Sequence, residues 1–282
     1  QLIEEARQAV LNFFNAEEYF CVFTSNASGA LKIVGESYPF TARSMYLMTY
    51  DNHNSVNGIR EYATNKGADY TYIPIQGEDL RAVESHFSNE ISAYQHCSNK
   101  LFAFPAQSNV SGVKHPLEWI LHAKSKGWDV LLDAAAFVPT NELDLSKYPA
   151  DFVALSFYKI FGYPTGIGAL LIHKKAYDKL KKPWFAGGTV SFASVAGHHF
   201  HLMDNHERFE DGTLNYLSIP AIKIGIDHIR AIGMHAVHLR VRLLTEYLLE
   251  QLTALRHSNG QPMVHIFGPQ SMENRGGTII LN

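Results

Sequence analysis

Cysteine is scarce in this sequence, with only Cys21 and Cys97 among 282 residues. Two thiols are too few for the disulfide framework of a small secreted protein, so a reducing, cytoplasmic setting is expected. Charge of one sign is scarce as well. Lys and Arg number 24 against 27 Asp and Glu, a net −3 with histidine neutral. Without a basic surplus nothing points to nucleic acid, and without an acidic run nothing points to a solvated tail. No apolar run approaches the ~20 residues of a membrane span, and no signal-peptide pattern opens the chain. Internal repeats and low-complexity stretches are absent. What is present, 46% hydrophobic and 18% charged residues, suits an ordinary soluble globular protein. The length allows one large domain or two small ones without disulfides. Gln1–Arg7 reads as mid-helix with no Met before it, and Gly276–Asn282 reads as a strand in progress. A fragment of a longer protein is therefore expected.

Between these ends, apolar runs alternate with helical spacing. Leu2, Ile3, Ala6, Val10, Phe13 and Phe14 predict a first helix. Phe20–Thr24 predicts a strand, Ser25–Gly29 a small polar turn, and the run to about Tyr38 a helix. Met45–Thr49 and Tyr70–Ile75 predict strands with a helix near Val56–Lys66 between them. Residues 88–99 read as polar and irregular. Leu101–Pro105, Val130–Asp133, Phe152–Ser156 and Ile167–Ile172 read as strands, and Pro116 opens a helix through Lys126. From about residue 218 the pattern is helical through His257, and short strands follow at Val264–Phe267 and Thr278–Leu281. Such alternation predicts an α/β fold with a mostly parallel central sheet and helices on both faces. The chain divides in this reading into a large α/β domain over residues 1–217 and the start of a smaller α+β domain over 218–282.

In open parallel sheets, ligands sit at the carboxyl ends of the strands, and several chemistry-bearing residues fall there. Asn26–Gly29 follow the first strand and begin a helix, where backbone N–H groups form an anion site. A plain helix cap is the simpler reading of that turn. Asp133 closes an apolar strand, where a carboxylate is costly unless paired or solvated. It suits the nitrogen of a pyridinium cofactor, or else a helix cap or a loop salt bridge. Lys159 follows another apolar strand inside Ser-Phe-Tyr-Lys-Ile-Phe-Gly-Tyr-Pro-Thr-Gly. Its amine is suited to an imine with an aldehyde, although a lone loop lysine is ordinarily a surface residue. The order of phosphate turn, acid and lysine favours the pyridoxal 5′-phosphate (PLP) reading. His198, His199, His201 and His206 cluster later in the chain, with solvated or structural histidines weighed against a metal site.

These residues resemble a known group. Phe23-Thr24-Ser25-Asn26-Ala27-Ser28-Gly29-Ala30, Asp51-Asn52-His53-Asn54-Ser55-Val56, Phe104–Gly112, Leu132-Asp133-Ala134-Ala135-Ala136, Ser156–Gly166 and Arg208–Thr213 stand in the order of fold-type I PLP-dependent enzymes. The group is the class V aminotransferase and cysteine desulfurase family. Ser-Phe-Tyr-Lys-Ile-Phe-Gly with Asp-Ala-Ala-Ala is similar to its molybdenum cofactor sulfurase branch. The resemblance implies that Lys159 carries PLP as a Schiff base and shuttles a proton at the substrate Cα. It implies that Asp133 pairs with the pyridine nitrogen and His53 stacks on the ring. Asn109 would sit near the phenolic oxygen, and Asn26, Ala27, Ser28 and Ser156 would hold the phosphate. Thr213 would reach the phosphate of a neighbouring subunit in a homodimer.

Two positions depart from the wider group. Ala136 stands where a glutamine commonly bonds the ring oxygen, so that contact is missing or made by another group. Tyr158 replaces the histidine before the lysine, with a hydroxyl able to reach the phosphate, a weaker correspondence than the family's histidine. The implied reaction takes L-cysteine to L-alanine through a persulfide, with the sulfur passing to the molybdenum cofactor held by a separate carboxyl-terminal domain. The resemblance places the persulfide cysteine and the arginine for the substrate carboxylate beyond residue 282, and neither Cys21 nor Cys97 is assigned to sulfur transfer. Selenocysteine lyase, kynureninase and aminotransferase activities share the scaffold and stay open, as does an inactive PLP-fold scaffold.

Overall fold

The computed structural model describes residues 1–282. The chain opens with α1 (Leu2–Phe13), which buries Ala6, Ala9 and Val10 at helical spacing. Then come β1 (Tyr19–Thr24), α2 (Ala27–Ser37), β2 (Ser44–Thr49), α3 (Asn54–Asn57), α4 (Ile59–Asn65) and β3 (Asp69–Ile73). A two-residue pair follows, β4 (Ile75–Gln76) and β5 (Arg81–Ala82). The middle of the chain forms α5 (Glu84–Ala93), β6 (Asn99–Pro105), α6 (Glu118–Ser125), β7 (Asp129–Asp133), β8 (Phe152–Ser156), α7 (Tyr158–Phe161), β9 (Gly168–His173) and α8 (Lys174–Tyr177). A hairpin of β10 (Val190–Ala193) and β11 (Phe200–Leu202) precedes α9 (Pro220–Ile232), α10 (Met234–Ala254), β12 (Ile266–Phe267) and β13 (Ile280–Leu281).

Seven strands form the central sheet in the order β1-β9-β8-β7-β6-β2-β3. Neighbours among β3, β2, β6, β7 and β8 run parallel, and β9 runs antiparallel to both β8 and β1. The mostly parallel α/β prediction therefore holds, and the strand expected at Ile167–Ile172 is the one that reverses. Side chains alternate across each strand. In β6, Phe102 and Phe104 enter one core with α1, α6 and α9, while Leu101 and Ala103 enter the other with α2 and α4. Both faces of the sheet are thus covered, as a parallel sheet requires.

Several local expectations need correction. Residues 88–93, read as irregular, continue α5, which hides Phe87 and Ile91 on one face while its other side chains stay polar. The strand predicted over Tyr70–Ile75 stops at Ile73, because Pro74 has no N–H for the ladder. The helix predicted near Val56–Lys66 is two helices that meet at Gly58. The long helix after residue 218 breaks at Gly233, whose φ of 86° suits a residue without a Cβ. The hairpin over 190–202 carried no clear alternation, and the two terminal strands shorten to two residues each.

Candidate active site

Five parallel strands deliver their carboxyl ends to one edge of the sheet, and the candidate residues follow those ends. Asn26, Ala27 and Ser28 come after β1, His53 after β2, and Gln107 and Asn109 after β6. Asp133 ends β7, and Ser156 ends β8 just before Lys159. Together with Tyr158, Ala135 and Ala136 they line one cavity of about 190 Å³. The structure brings together nine of the ten residues singled out from the sequence. Thr213 is the exception. It lines an adjoining hollow of about 370 Å³ with Thr24, Ser25, Gly29 and Gly166, behind the turn that follows β1.

The β1–α2 turn is built to leave N–H groups available. Asn26 is extended and its side chain caps α2 by accepting from Gly29 N–H at 2.9 Å. Ala27 N–H donates to Ser156 Oγ at 2.9 Å, tying the end of β8 to the start of α2. Ser156 Oγ accepts in that bond, so its own proton is free for an anion at the helix start. The turn can come this close only because β9 begins with glycine. A Cβ at Gly168 would lie 2.5 Å from the Asn26 carbonyl carbon.

Asp133 is 8% exposed. Burial pushes its carboxyl above the ordinary carboxylate range, opposed by a hydrogen bond from Ala135 N–H at 3.0 Å and by the charges of Lys159 and His53. A buried acid in this state calls for a cationic partner inside the cavity. Lys159 stands at the mouth on α7, a single turn closed by Gly162 at φ 81°. His53 is exposed at the rim, where Nδ1 accepts from Ser55 N–H at 3.1 Å and caps α3. Its loop is pinned from below. Asp51 bonds His115 Nε2 at 2.9 Å, and Asn52 Nδ2 donates to Thr49 O at 2.8 Å and Ala103 O at 3.1 Å. The pull of His115, with Thr49, outweighs burial and holds Asp51 below the usual carboxylate range.

Sequence reasoning missed Gln107 and the Asp51–His115 pair as parts of this assembly. Gln107 carried a readable signal, a polar residue soon after the apolar run Leu101–Pro105, the same signal that marked Asp133. The pair carried none, since its members lie 64 positions apart. The four clustered histidines do not converge. His201 lies on β11, His206 on a single 3-10 turn (His206–Phe209), and no three His, Cys, Asp or Glu are grouped to hold a metal ion.

A family model described as class-V aminotransferase matches residues 1–282. The chain belongs to this family. Among similar class V proteins, the molybdenum cofactor sulfurase of Arabidopsis thaliana is 40% identical over 100% of this chain and 39% of its own length. That of Homo sapiens is 39% identical over 94% of this chain and 32% of its own. The chain thus spans about two fifths or less of the curated relatives named here. Among solved structures, the apo cysteine desulfurase from Thermococcus onnurineus NA1 superposes with a TM-score of 0.86. It is 28% identical, over 100% of this chain and 68% of that one. A C-DES mutant with glycine covalently linked to its PLP cofactor shares the fold at a TM-score of 0.83. It is 21% identical, over 100% of this chain and 72% of that one.

The residues of this class V site fit PLP. The helix start and the free Ser156 proton suit a phosphate, Asp133 suits a protonated ring nitrogen, and the Lys159 amine suits an aldehyde.

Proposed function

We propose that this chain is the PLP-binding part of a molybdenum cofactor sulfurase, which desulfurates L-cysteine to L-alanine and passes the sulfur to the molybdenum cofactor. One observation carries the reading. An aldehyde-reactive amine (Lys159), a buried acid (Asp133) and a helix-start anion site (Asn26–Ser28) face a single cavity, in a chain similar to molybdenum cofactor sulfurases along its whole length. When bound, PLP supplies the electron sink for negative charge at the substrate Cα.

The chain's own residues do the rest. The N–H groups of the β1–α2 turn and the Ser156 hydroxyl hold the phosphate, with the Tyr158 hydroxyl at the same end. Lys159 Nζ takes the Cα proton and returns it to the product carbon. The Asp133 carboxylate would keep a proton on the ring nitrogen, an attraction that its buried setting strengthens relative to water. His53, at the rim, would cover the ring face, and Asn109 would lie near the phenolic oxygen and the substrate.

Neither cysteine of this chain faces the cavity. Cys21 is fully buried in β1, and burial pushes its thiol up to about 12. Cys97 is raised too, by burial. Neither the thiolate that would take the sulfur, becoming a persulfide as alanine leaves, nor the carboxylate-binding arginine is assigned among residues 1–282. A separate carboxyl-terminal domain would hold the molybdenum cofactor. Thr213 would serve the phosphate of a second subunit in a homodimer. Glu210, in the same motif, fixes the segment to β1 within the chain. It accepts from Phe23 N–H and from Arg7 Nη1, both at 2.7 Å. The two free cysteines accord with a cytoplasmic location, and no helix is long and apolar enough to cross a membrane. The large domain would span 1–217 and the small one would start at 218, with α9 as the connector, since Ile222, Ile226 and Ile229 enter the large core.

The test uses the full-length gene product with PLP and L-cysteine. Alanine and sulfide should form in equal amounts, with a visible cofactor band that is lost in Lys159→Ala. Undiminished alanine formation in that variant would overturn the proposal.

A further inference from the structure

Gln107 is 4% exposed and lies two residues after the end of β6. Its backbone is held by an antiparallel bridge to Lys114. Its side chain is pressed against Gly276, where any Cβ would collide with the amide group. Oε1 accepts from Asn141 Nδ2 at 3.4 Å. Nε2 has no hydrogen-bond partner, yet it is not sealed inside the protein, and the residue lines the cavity shared with Asp133 and Lys159. An amide NH2 on a side chain this buried, free of protein acceptors and on a residue that lines the cavity, is placed to donate to the molecule that fills it.

The acceptor follows by elimination, on the reading of the site as a PLP site. Apart from the aldehyde, which the Lys159 amine takes, the cofactor offers three polar ends. Its phosphate belongs at the start of α2, and its ring nitrogen belongs to Asp133. The phenolic oxygen remains. Ala136 lines the same cavity and carries no polar side-chain atom. We propose that Gln107 Nε2 donates to the phenolic oxygen of the cofactor, beside Asn109, and supplies the contact that Ala136 does not make. Donation there would stabilise negative charge on the oxygen and weaken its hold on a proton shared with Lys159 Nζ.

The test is a pH titration of the visible cofactor band in the PLP-loaded, full-length protein. Gln107→Leu removes the donor at similar volume, and Gln107→Asn withdraws it by one methylene while keeping the amide. In both, the midpoint of the spectral transition should rise by about one pH unit, a tenfold change in the acid constant. Adding Ala136→Gln to Gln107→Leu should bring the midpoint back towards the native value. A purely structural Gln107 would lower stability and leave the midpoint where it was. Retained cofactor with an unchanged midpoint in either variant would overturn the assignment of Gln107 alone. A native protein with no visible band would sink the cofactor reading itself.

Discussion

Replacing Gly168 by alanine separates the geometry of the cradle from the chemistry of its residues. A Cβ at this position would lie 2.5 Å from the carbonyl carbon of Asn26 and 2.6 Å from its Cα, with the Leu155 carbonyl oxygen also in its way. All three are backbone atoms, so no side chain can swing clear. Carbon atoms settle about 3.5–4.0 Å apart, which forces Asn26 and the strand to part by about 1.0–1.5 Å. Such overpacking costs ~1–3 kcal/mol, a melting point lower by about 3–10 °C. The larger effect falls on the phosphate. The displaced turn carries the N–H groups and the Ser28 hydroxyl that would face it on the proposed reading, and hydrogen bonds to a charged group contribute ~1.5–3 kcal/mol. PLP affinity should therefore fall about 10- to 100-fold. Gly162→Ala is the matched control. No atom lies within 4 Å of its Cβ, and only its φ of +81° is strained, at ~1–2 kcal/mol. It should lower the melting point and leave PLP affinity near native. Thermal unfolding and a fluorescence titration with PLP read both quantities. Equal losses of PLP affinity in the two variants, or none in Gly168→Ala, would refute the close-approach reasoning.

Two further predictions concern buried acids. Asp133→Asn should raise the melting point of the cofactor-free protein at pH 8 while weakening PLP binding by about 10- to 100-fold. Burial raises the Asp133 pKa, so its ionised form costs stability above that pKa, and the gain should shrink as the pH falls and the native acid takes up its proton. A lower apo melting point across the whole pH range would count against that role. Asp51 behaves oppositely. Its pKa is depressed, so its stabilising contribution is complete above the unfolded value of ~4 and is lost as pH falls through the lower folded value. His115→Ala leaves a carboxylate whose side chain is 5% exposed without its partner. It should cost about 3–5 kcal/mol at pH 7, with a carboxyl 13C titration showing the Asp51 midpoint moved upward. An unmoved midpoint would mean that His115 is not what holds it down.

How much of this was legible in advance depended on where the polar residues stood. Asp133 and Ser156 close the apolar runs Val130–Leu132 and Phe152–Leu155, Lys159 follows soon after, and a polar group in that setting needs a reason. Strand ends were readable for the same cause. The reversal of β9 was not, because a fully buried strand reads alike in either direction, and only its pairing with β1 and β8 fixes its sense. Helix α5 escaped because it shows the core only Phe87 and Ile91. The support beneath His53 escaped because Asp51 and His115 lie on elements that meet only after folding. Thr213 illustrates the converse. Its motif was recognised, but its place behind the β1–α2 turn came from the packing of the segment anchored by Glu210.

The bond between Ser156 and Ala27 joins groups 129 positions apart, and this bears on how the protein is made. Strand β1 emerges from the ribosome well before β9, its only partner in the sheet. Translation proceeds at ~5–20 residues per second, so the 129 positions spanned by that bond take about 6–26 s to synthesise. Through that interval the nascent chain has no socket for a vitamin-derived ligand, and an unpaired apolar strand waits for its neighbour. Vitamin B6 supply can therefore act on this protein only after β9 has docked, by trapping the finished domain rather than by guiding its early folding.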